Sequence, residues 1–308
     1  MAKGPGKASS RSQILHDVPE EPGAEDKKDD VEALADGEIT ASFVNGAIRT
    51  SEQEEMAHLL RRKSQFLLAF GACSHLGGIP GLANLWDRES IFECVYGEAL
   101  TNEANGGTVP LERTVVPEGE VLLPAFYDTV RTLDQVVDVD YYIPGCAPTP
   151  KVIGEALNAL LTGKLPPKGA VLASSRALCY ECPLSETKPE KPVLAEVKRV
   201  WEIVPDPDTC LLAQGILCLG PVTRGGCEAL CINAHMPCTG CFGPLDSVHD
   251  YGAKGLSAMA SLLDSNDPDE LEVLAEKVPD LVGTFYRYSL PASLLQRRKM
   301  AQTNGGAR

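Results

Sequence analysis

Eight cysteines crowd the stretch from Cys179 to Cys241, and this constrains the chain more than any other feature. They are spaced as Cys179-x2-Cys182, then Cys210 and Cys218, then Cys227-x3-Cys231 and Cys238-x2-Cys241. Eight thiolates divide into two sets of four. Two chemistries use four thiolates each: a cubane 4Fe–4S cluster, where a pair spaced by two residues grips two corners, and a tetrahedral zinc site. Spacing alone leaves both open. Sequential grouping gives Cys179, Cys182, Cys210 and Cys218 as one set and Cys227, Cys231, Cys238 and Cys241 as the other. Glycine and proline surround them, as in Thr223-Arg-Gly-Gly-Cys227 and Met236-Pro-Cys-Thr-Gly-Cys-Phe-Gly-Pro244. Such residues let backbone approach a bound group and donate N–H to its sulfurs.

The compartment bears on this reading. The N-terminus begins Met-Ala-Lys-Gly-Pro-Gly-Lys, with no apolar h-region and no twin-arginine signal. The default is therefore the cytoplasm, although export on a partner's signal stays open. In a reducing cytoplasm, 11 cysteines, an odd number, are poor disulfide candidates. Apolar stretches such as Phe66 to Phe70 fall far short of the roughly 20 residues of a spanning helix, so direct membrane insertion is not expected. The formal net charge of -15 argues against nucleic acid or an anionic membrane as partner.

The 308 residues divide by pattern. Residues 1–37 are polar and aperiodic and read as a disordered or atypical N-terminus. Ile39 to Val44 reads as a buried strand. Thr50 or Ser51 caps a helix with Gln53 or Glu54 three residues on, and Met56, Leu59 and Leu60 form its apolar face. Phe66 to Phe70 is a second strand, stopped by Gly71. After a helical and loop region, Val136 to Ile143 reads as a third. Thr149 and Pro150 then open a helix with Ile153, Leu157, Leu160 and Leu161 on one face and Gly163 as its stop. Strands alternating with helices predict an α/β fold with a parallel, helix-covered sheet over residues 38–165. Residues 166–250 read as a loop-rich, metal-stapled segment, and 251–308 as C-terminal helices with a frayed tail at 302–308.

Cys73 and Cys146 each lie just past the carboxyl end of an expected strand, in Gly-Ala-Cys and Pro-Gly-Cys-Ala-Pro. Ligands bind at that edge of an open parallel sheet. The two thiols either meet at one site there or are buried and inert. Cys94, in Ile91-Phe-Glu-Cys-Val95, reads as core. His75 reads as a polar loop histidine, with a hydrogen bond to a bound cluster as the alternative. No Walker A pattern and no Gly-x-Gly-x-x-Gly after a strand is present.

Three motifs in order carry a family resemblance: Phe70-Gly-Ala-Cys-Ser-His-Leu-Gly-Gly-Ile-Pro-Gly-Leu-Ala-Asn84, Tyr142-Ile-Pro-Gly-Cys-Ala-Pro-Thr-Pro150, and the eight-cysteine block ending in Cys238-Thr-Gly-Cys-Phe-Gly-Pro244. From about Asp36 to Asp250 the chain resembles the small subunit of nickel–iron hydrogenases. The type it looks most like is the cytoplasmic methyl-viologen-reducing enzyme that works with heterodisulfide reductase. That family is related to a cluster-carrying subunit of NADH:quinone oxidoreductase.

The resemblance implies a flavodoxin-like domain with a proximal 4Fe–4S cluster, then a segment with a medial and a distal cluster. Matched by motif, Cys227, Cys231, Cys238 and Cys241 correspond to the medial set. Cys179, Cys182, Cys210 and Cys218 correspond to the distal set, where many relatives have histidine at the position of Cys179. Cys73 and Cys146 correspond to two of the four proximal ligands. The chain is then an electron relay in an oxidoreductase, with the nickel–iron chemistry on a partner large subunit. An iron–sulfur protein or a heterodisulfide-reductase-type complex is the expected acceptor.

One departure stands out. The family opens with a strand and Cys-x-x-Cys that supply the other proximal ligands, and no cysteine precedes Cys73. Two clusters are therefore expected and the third site is incomplete. In a sheet of order 2-1-3-4-5 the first strand is central, so a gap is expected in the sheet. Three accounts stay open: a late start, a second chain that completes the sheet, or a subunit that has lost the site. A repurposed electron-transfer subunit of another oxidoreductase, or a zinc-stabilised scaffold, remains the alternative function.

Overall fold

The computed structural model describes residues 24–101, 108–190, 194, 196–263, 265, 267–278 and 280–295. The fold is α/β, with a parallel three-stranded sheet followed by a loop-rich segment and helices.

Helix α1 (Ala24–Glu32) opens the described chain, where the sequence predicts no order for residues 24–37. The rest of that expectation, and the frayed tail at 302–308, lie outside the described residues. Strand β1 (Ile39–Asn45) and the short β2 (Ile48–Thr50) lead into α2 (Ser51–Lys63). Helix α2 starts as its sequence dictates. Gln53 N donates to Thr50 Oγ1, and Gln53 Oε1 accepts from Thr50 N at 3.1 Å, a reciprocal capping box. Thr50→Ala should cost about 1 kcal/mol, read as a lower urea midpoint at unchanged m value.

Strand β3 (Ser64–Phe70) runs parallel to β1, with Ile39 opposite Ser64 and Asn45 opposite Phe70. This corrects the expected gap: β1 and β3 bond to each other directly, so their facing backbone groups are satisfied. The open edge is instead the outer one of β1, which pairs with no strand among the described residues. Strand β3 feeds α3 (Gly71–Leu76), where Gly71 at φ 87° makes the turn.

Beyond a 3-10 turn at Ile79–Leu85, α4 (Arg88–Phe92) runs into a π-helical turn. A hairpin of β4 (Arg113–Val116) and β5 (Gly119–Leu122) follows. Strand β6 (Phe126–Arg131) returns antiparallel to β2. Asn84 ties this excursion down, because its side chain donates to Val130 O (2.9 Å) and accepts from Val130 N (2.7 Å).

The third parallel strand, β7, covers only Tyr141–Ile143, not 136–143. Val136 ends a 3-10 turn over Leu133–Gln135, and Val137 is buried beneath the sheet instead of extending it. The far edge of β7 is covered by residues 169–172: Tyr142 N donates to Ala170 O and Leu172 N to Tyr142 O.

Helix α5 (Pro150–Thr162) is capped by Thr149 and stopped by Gly163 in the left-handed conformation. Its buried residues are Val152 and Ala156, whereas Leu157 and Leu161 are exposed, so the expected face is corrected. The strand alternation explains the layers. Leu67 and Ala69 face the core that includes Ala57 of α2, and Leu68 faces the core of Val152, Ala156 and Phe242.

The remainder is α6 (Leu230–Asn233), α7 (Tyr251–Ala260), α8 (Pro268–Glu276) and α9 (Leu281–Phe285) among irregular loops. These loops enclose a conventional apolar core of Leu178, Leu211, Leu212, Ile216, Leu219, Ile232, Met259 and Phe285 among others. Metal staples are not this segment's only source of cohesion. Among the described residues, no helix is long and apolar enough to cross a membrane.

Candidate metal centres

The carboxyl edge of the parallel sheet brings Cys73 and Cys146 together. Cys73 lies in the first turn of α3, and Cys146 follows β7. Ala72 N donates to Gly145 O at 2.7 Å, which pins the two strand ends to each other. Burial pushes the half-buried Cys73 thiol up, and neighbouring Cys146 adds to the effect. Gly78, at φ 60°, packs against Cys73: a Cβ there would lie 2.5 Å from Cys73 Sγ. Cys146 itself is exposed. This edge presents two thiols of this chain on an open surface.

Cys179, Cys182, Cys210 and Cys218 line one cavity. Its other walls are apolar: Leu178, Leu184, Leu211, Leu212, Pro221 and Ile232. A 3-10 turn at Leu178–Tyr180 presents Cys179, and a second at Leu211–Gln214 follows Cys210. Gly220 is a cradle between two of the thiols, since a Cβ would stand 3.5 Å from Cys179 Sγ and 3.6 Å from Cys218 Sγ. Burial pushes Cys218 up to about 11, against the backbone N–H groups of Gly220 and Cys238, which favour its thiolate. The Cys238 N–H donates to Cys218 Sγ at 3.4 Å.

The second set is ordered around Cys241. Burial pushes this thiol up to about 11; the Cys146 backbone N–H opposes the rise, while Cys231, Cys227 and Cys146 reinforce it. Cys238 is raised further, by burial first and then by Cys218 and Cys241. Cys238 therefore stands between the two sets, and Cys241 between the second set and the sheet edge. All 11 cysteines are free of disulfides.

Some residues are placed differently from expectation. Cys94 is exposed on the π-helical turn and is not core. An apolar pattern cannot tell a buried face from one that faces outward. His75 is not a polar loop residue. Its ring lies against Tyr142 with centroids 4.4 Å apart, and its Nδ1 is buried without a hydrogen-bond partner among the described residues. Burial, with the charge of Arg224, pushes its pKa down to about 3, so the imidazole is neutral.

Other contributors carry no signal in the sequence. Thr223 bonds Tyr251 Oη (2.7 Å) and Leu219 O (2.6 Å) in the buried space beside Cys238. Glu181 reaches the Cys227 loop. Nothing in a lone Thr, Tyr or Glu marks such a role; only the location of Glu181 inside Cys179-x2-Cys182 hints at it.

The donor set fits a thiolate-bound metal group. A mononuclear zinc site needs four sulfurs about 2.3 Å from one point. Four thiols around one apolar cavity, with N–H groups directed at sulfur, supply the donor types that a thiolate-bound metal group needs.

Residues 11–160 match the family described as NADH ubiquinone oxidoreductase, 20 Kd subunit. The chain is 38% identical over 279 residues to the iron-sulfur subunit of the F420-non-reducing hydrogenase of Archaeoglobus profundus, covering 89% of this chain and 86% of that protein. It is 39% identical over 261 residues to a subunit of the F420-non-reducing hydrogenase of Methanothermobacter thermautotrophicus, covering 84% and 80%. Among solved structures, an NAD+-reducing NiFe-hydrogenase in its H2-reduced state matches at 34% identity and TM-score 0.37, over 42% of this chain and 68% of that one. Identity at this level over most of both chains shows that the protein belongs to the family of these F420-non-reducing hydrogenase subunits, whose members are components of oxidoreductase complexes.

Proposed function

We propose that this chain is the cytoplasmic iron–sulfur relay subunit of a nickel–iron hydrogenase complex. In this reading it stands between a large subunit and an acceptor, which is an iron–sulfur protein or a heterodisulfide-reductase-type complex. The observation that carries the reading is the convergence of Cys179, Cys182, Cys210 and Cys218 on one apolar cavity. Those four would hold a distal 4Fe–4S cluster, and Cys227, Cys231, Cys238 and Cys241 a medial one. Cys73 and Cys146 are two ligands of an incomplete proximal site. When bound, such clusters supply one-electron carriers.

The chain's own groups suit that task. Buried thiols with raised pKa values stay protonated and inert unless a cationic group enters and displaces the proton. The apolar walls exclude water, and the N–H groups of Gly220, Cys238 and Cys146 offset thiolate charge. Adjacent sets touch through single hydrogen bonds: Cys146 N–H to the Cys241 thiol, and Cys238 N–H to Cys218.

Anaerobically reconstituted protein should carry about eight iron atoms and as many acid-labile sulfides per chain, two cubanes' worth. EPR of the reduced protein should show two clusters. Stoichiometric zinc with negligible iron would overturn the reading.

A further inference from the structure

Residues 286–294 return to the carboxyl edge of the parallel sheet, where they are seated by shape. Gly77 and Gly81 admit the Pro291 ring, into which a Cβ at either position would run. Next to that seat, Gly78 N donates to Tyr288 O at 3.0 Å, and Gln135 Nε2 donates to Pro291 O at 2.7 Å. Leu290 between them is wholly buried. The seat is the turn that carries Cys73: Gly77 N donates to Cys73 O at 3.0 Å, and Gly78 packs against the Cys73 side chain.

The same segment reaches the second cysteine set. The Tyr288 and Thr239 hydroxyls are hydrogen-bonded at 3.1 Å, and Thr239 stands directly after Cys238 in the Cys238–Cys241 loop. Further on, Leu294 N donates at 3.0 Å to Asp250 Oδ2, of the residue that caps α7. Tyr288 is buried. One residue thus bonds the Cys73 turn through its carbonyl and the Cys238–Cys241 loop through its side chain.

We propose that Tyr288 is a positioning residue, the pin of a C-terminal clasp that fixes the Cys73 edge of the sheet against the Cys238–Cys241 loop. The role deepens the iron–sulfur reading above and rests on it. Electron transfer slows steeply with distance, so a relay needs its sites held at a set spacing. Cys73 and Cys238 lie far apart in the chain, and residues 286–294 bind both of their loops.

The test is amide hydrogen exchange of the full chain with its clusters in place, read on peptides spanning residues 77–81. Tyr288→Phe and Thr239→Val each delete the one hydroxyl bond and keep the bulk of the side chain. Thr239→Ser keeps the hydroxyl and loses a methyl group. Exchange at 77–81 should rise about fivefold in Tyr288→Phe and in Thr239→Val, the worth of one neutral hydrogen bond. It should rise no further in the double variant, since both changes remove the same bond. Thr239→Ser should exchange as wild type does, and β3 should stay unmoved in every variant. Unmoved exchange at 77–81 in Tyr288→Phe or Thr239→Val overturns the proposal alone. So does a rise in Thr239→Ser equal to that in Thr239→Val, or a rise spread equally over β3, since either reports packing and not the hydroxyl bond. Absence of iron from wild type overturns the underlying reading and the relay role with it. Should one of the two variants lose its iron, the other decides. Retained iron with the fivefold rise supports the proposal, and loss of iron in both overturns it.

Discussion

Replacement of Cys238 by serine is expected to cut bound iron from about eight to about four atoms per chain, because one complete set of four thiolates is broken. The variant should also melt about 10 °C lower, taking a loss of about 3 kcal/mol for a segment whose loops are held partly by the bound group. Serine preserves the backbone, so the Cys238 N–H still reaches Cys218 and the first set should keep its iron. The melt should remain cooperative, since the apolar core around Leu211, Leu212, Ile216 and Met259 does not depend on the thiol. Iron content measured together with thermal unfolding checks both parts. Unchanged iron would reject Cys238 as a ligand.

The second large effect lies far from the thiols. Asp140 is buried at the entrance to β7 and holds three elements at once. Its carboxylate accepts from Arg61 Nη1 of α2 (2.7 Å), from Leu67 N of β3 (2.8 Å) and from Lys168 Nζ (2.5 Å). Asp140→Ala leaves the buried Leu67 N–H without its acceptor and removes the carboxylate partner of half-buried Arg61, and should cost about 2–3 kcal/mol in denaturant unfolding.

The pH dependence has a definite sign. Burial alone would raise this carboxyl, but the bonds from Arg61, Lys168 and Leu67 outweigh it and hold the pKa below its ordinary 3.8. The unfolded chain then takes up the proton at higher pH than the folded one. The contribution is complete above the ordinary carboxylate pKa and is lost as pH falls through the lower, folded value. The stability gap between wild type and Asp140→Asn should narrow as pH drops below about 4 and stay constant above about 6.

Short-range signals are the legible part of the sequence. Thr50 with Gln53, Thr149 with Pro150 and Gly163, and the apolar run up to Gly71 each act within a few residues, and each sits where its local chemistry requires. What depends on the third dimension is not legible. Helix α5 carries apolar residues on two overlapping stripes. Only packing against Phe242, far along the chain, selects Val152 and Ala156 over Leu157 and Leu161. Val136 and Val137 have strand character, yet the turn capped by Thr132 folds them under the sheet. The β4–β5 hairpin forms inside the stretch expected to be helix and loop, although Pro117-Glu-Gly119 between two β-rich runs is a readable turn signal.

At the thiols, spacing finds the cysteines but not what lies between them. Gly220 and the Tyr251–Thr223 pair carry no spacing signature, because their partners come from loops distant in sequence. The expected gap in the sheet fails for a related reason. Neighbours in a sheet are decided by pairing, and β1 pairs with β3 itself.

The outer edge of β1 has a practical consequence. Its seven residues, Ile-Thr-Ala-Ser-Phe-Val-Asn, include no charge and no proline, the usual guards against edge-to-edge association, and Phe43 is exposed on it. Laboratory handling will feel this before any assay does. Preparations of the isolated chain are expected to face a concentration ceiling, because among the described residues no strand covers this row of backbone donors and acceptors. Dilute refolding, or co-production with whatever normally lies along that edge, is the route to monodisperse material.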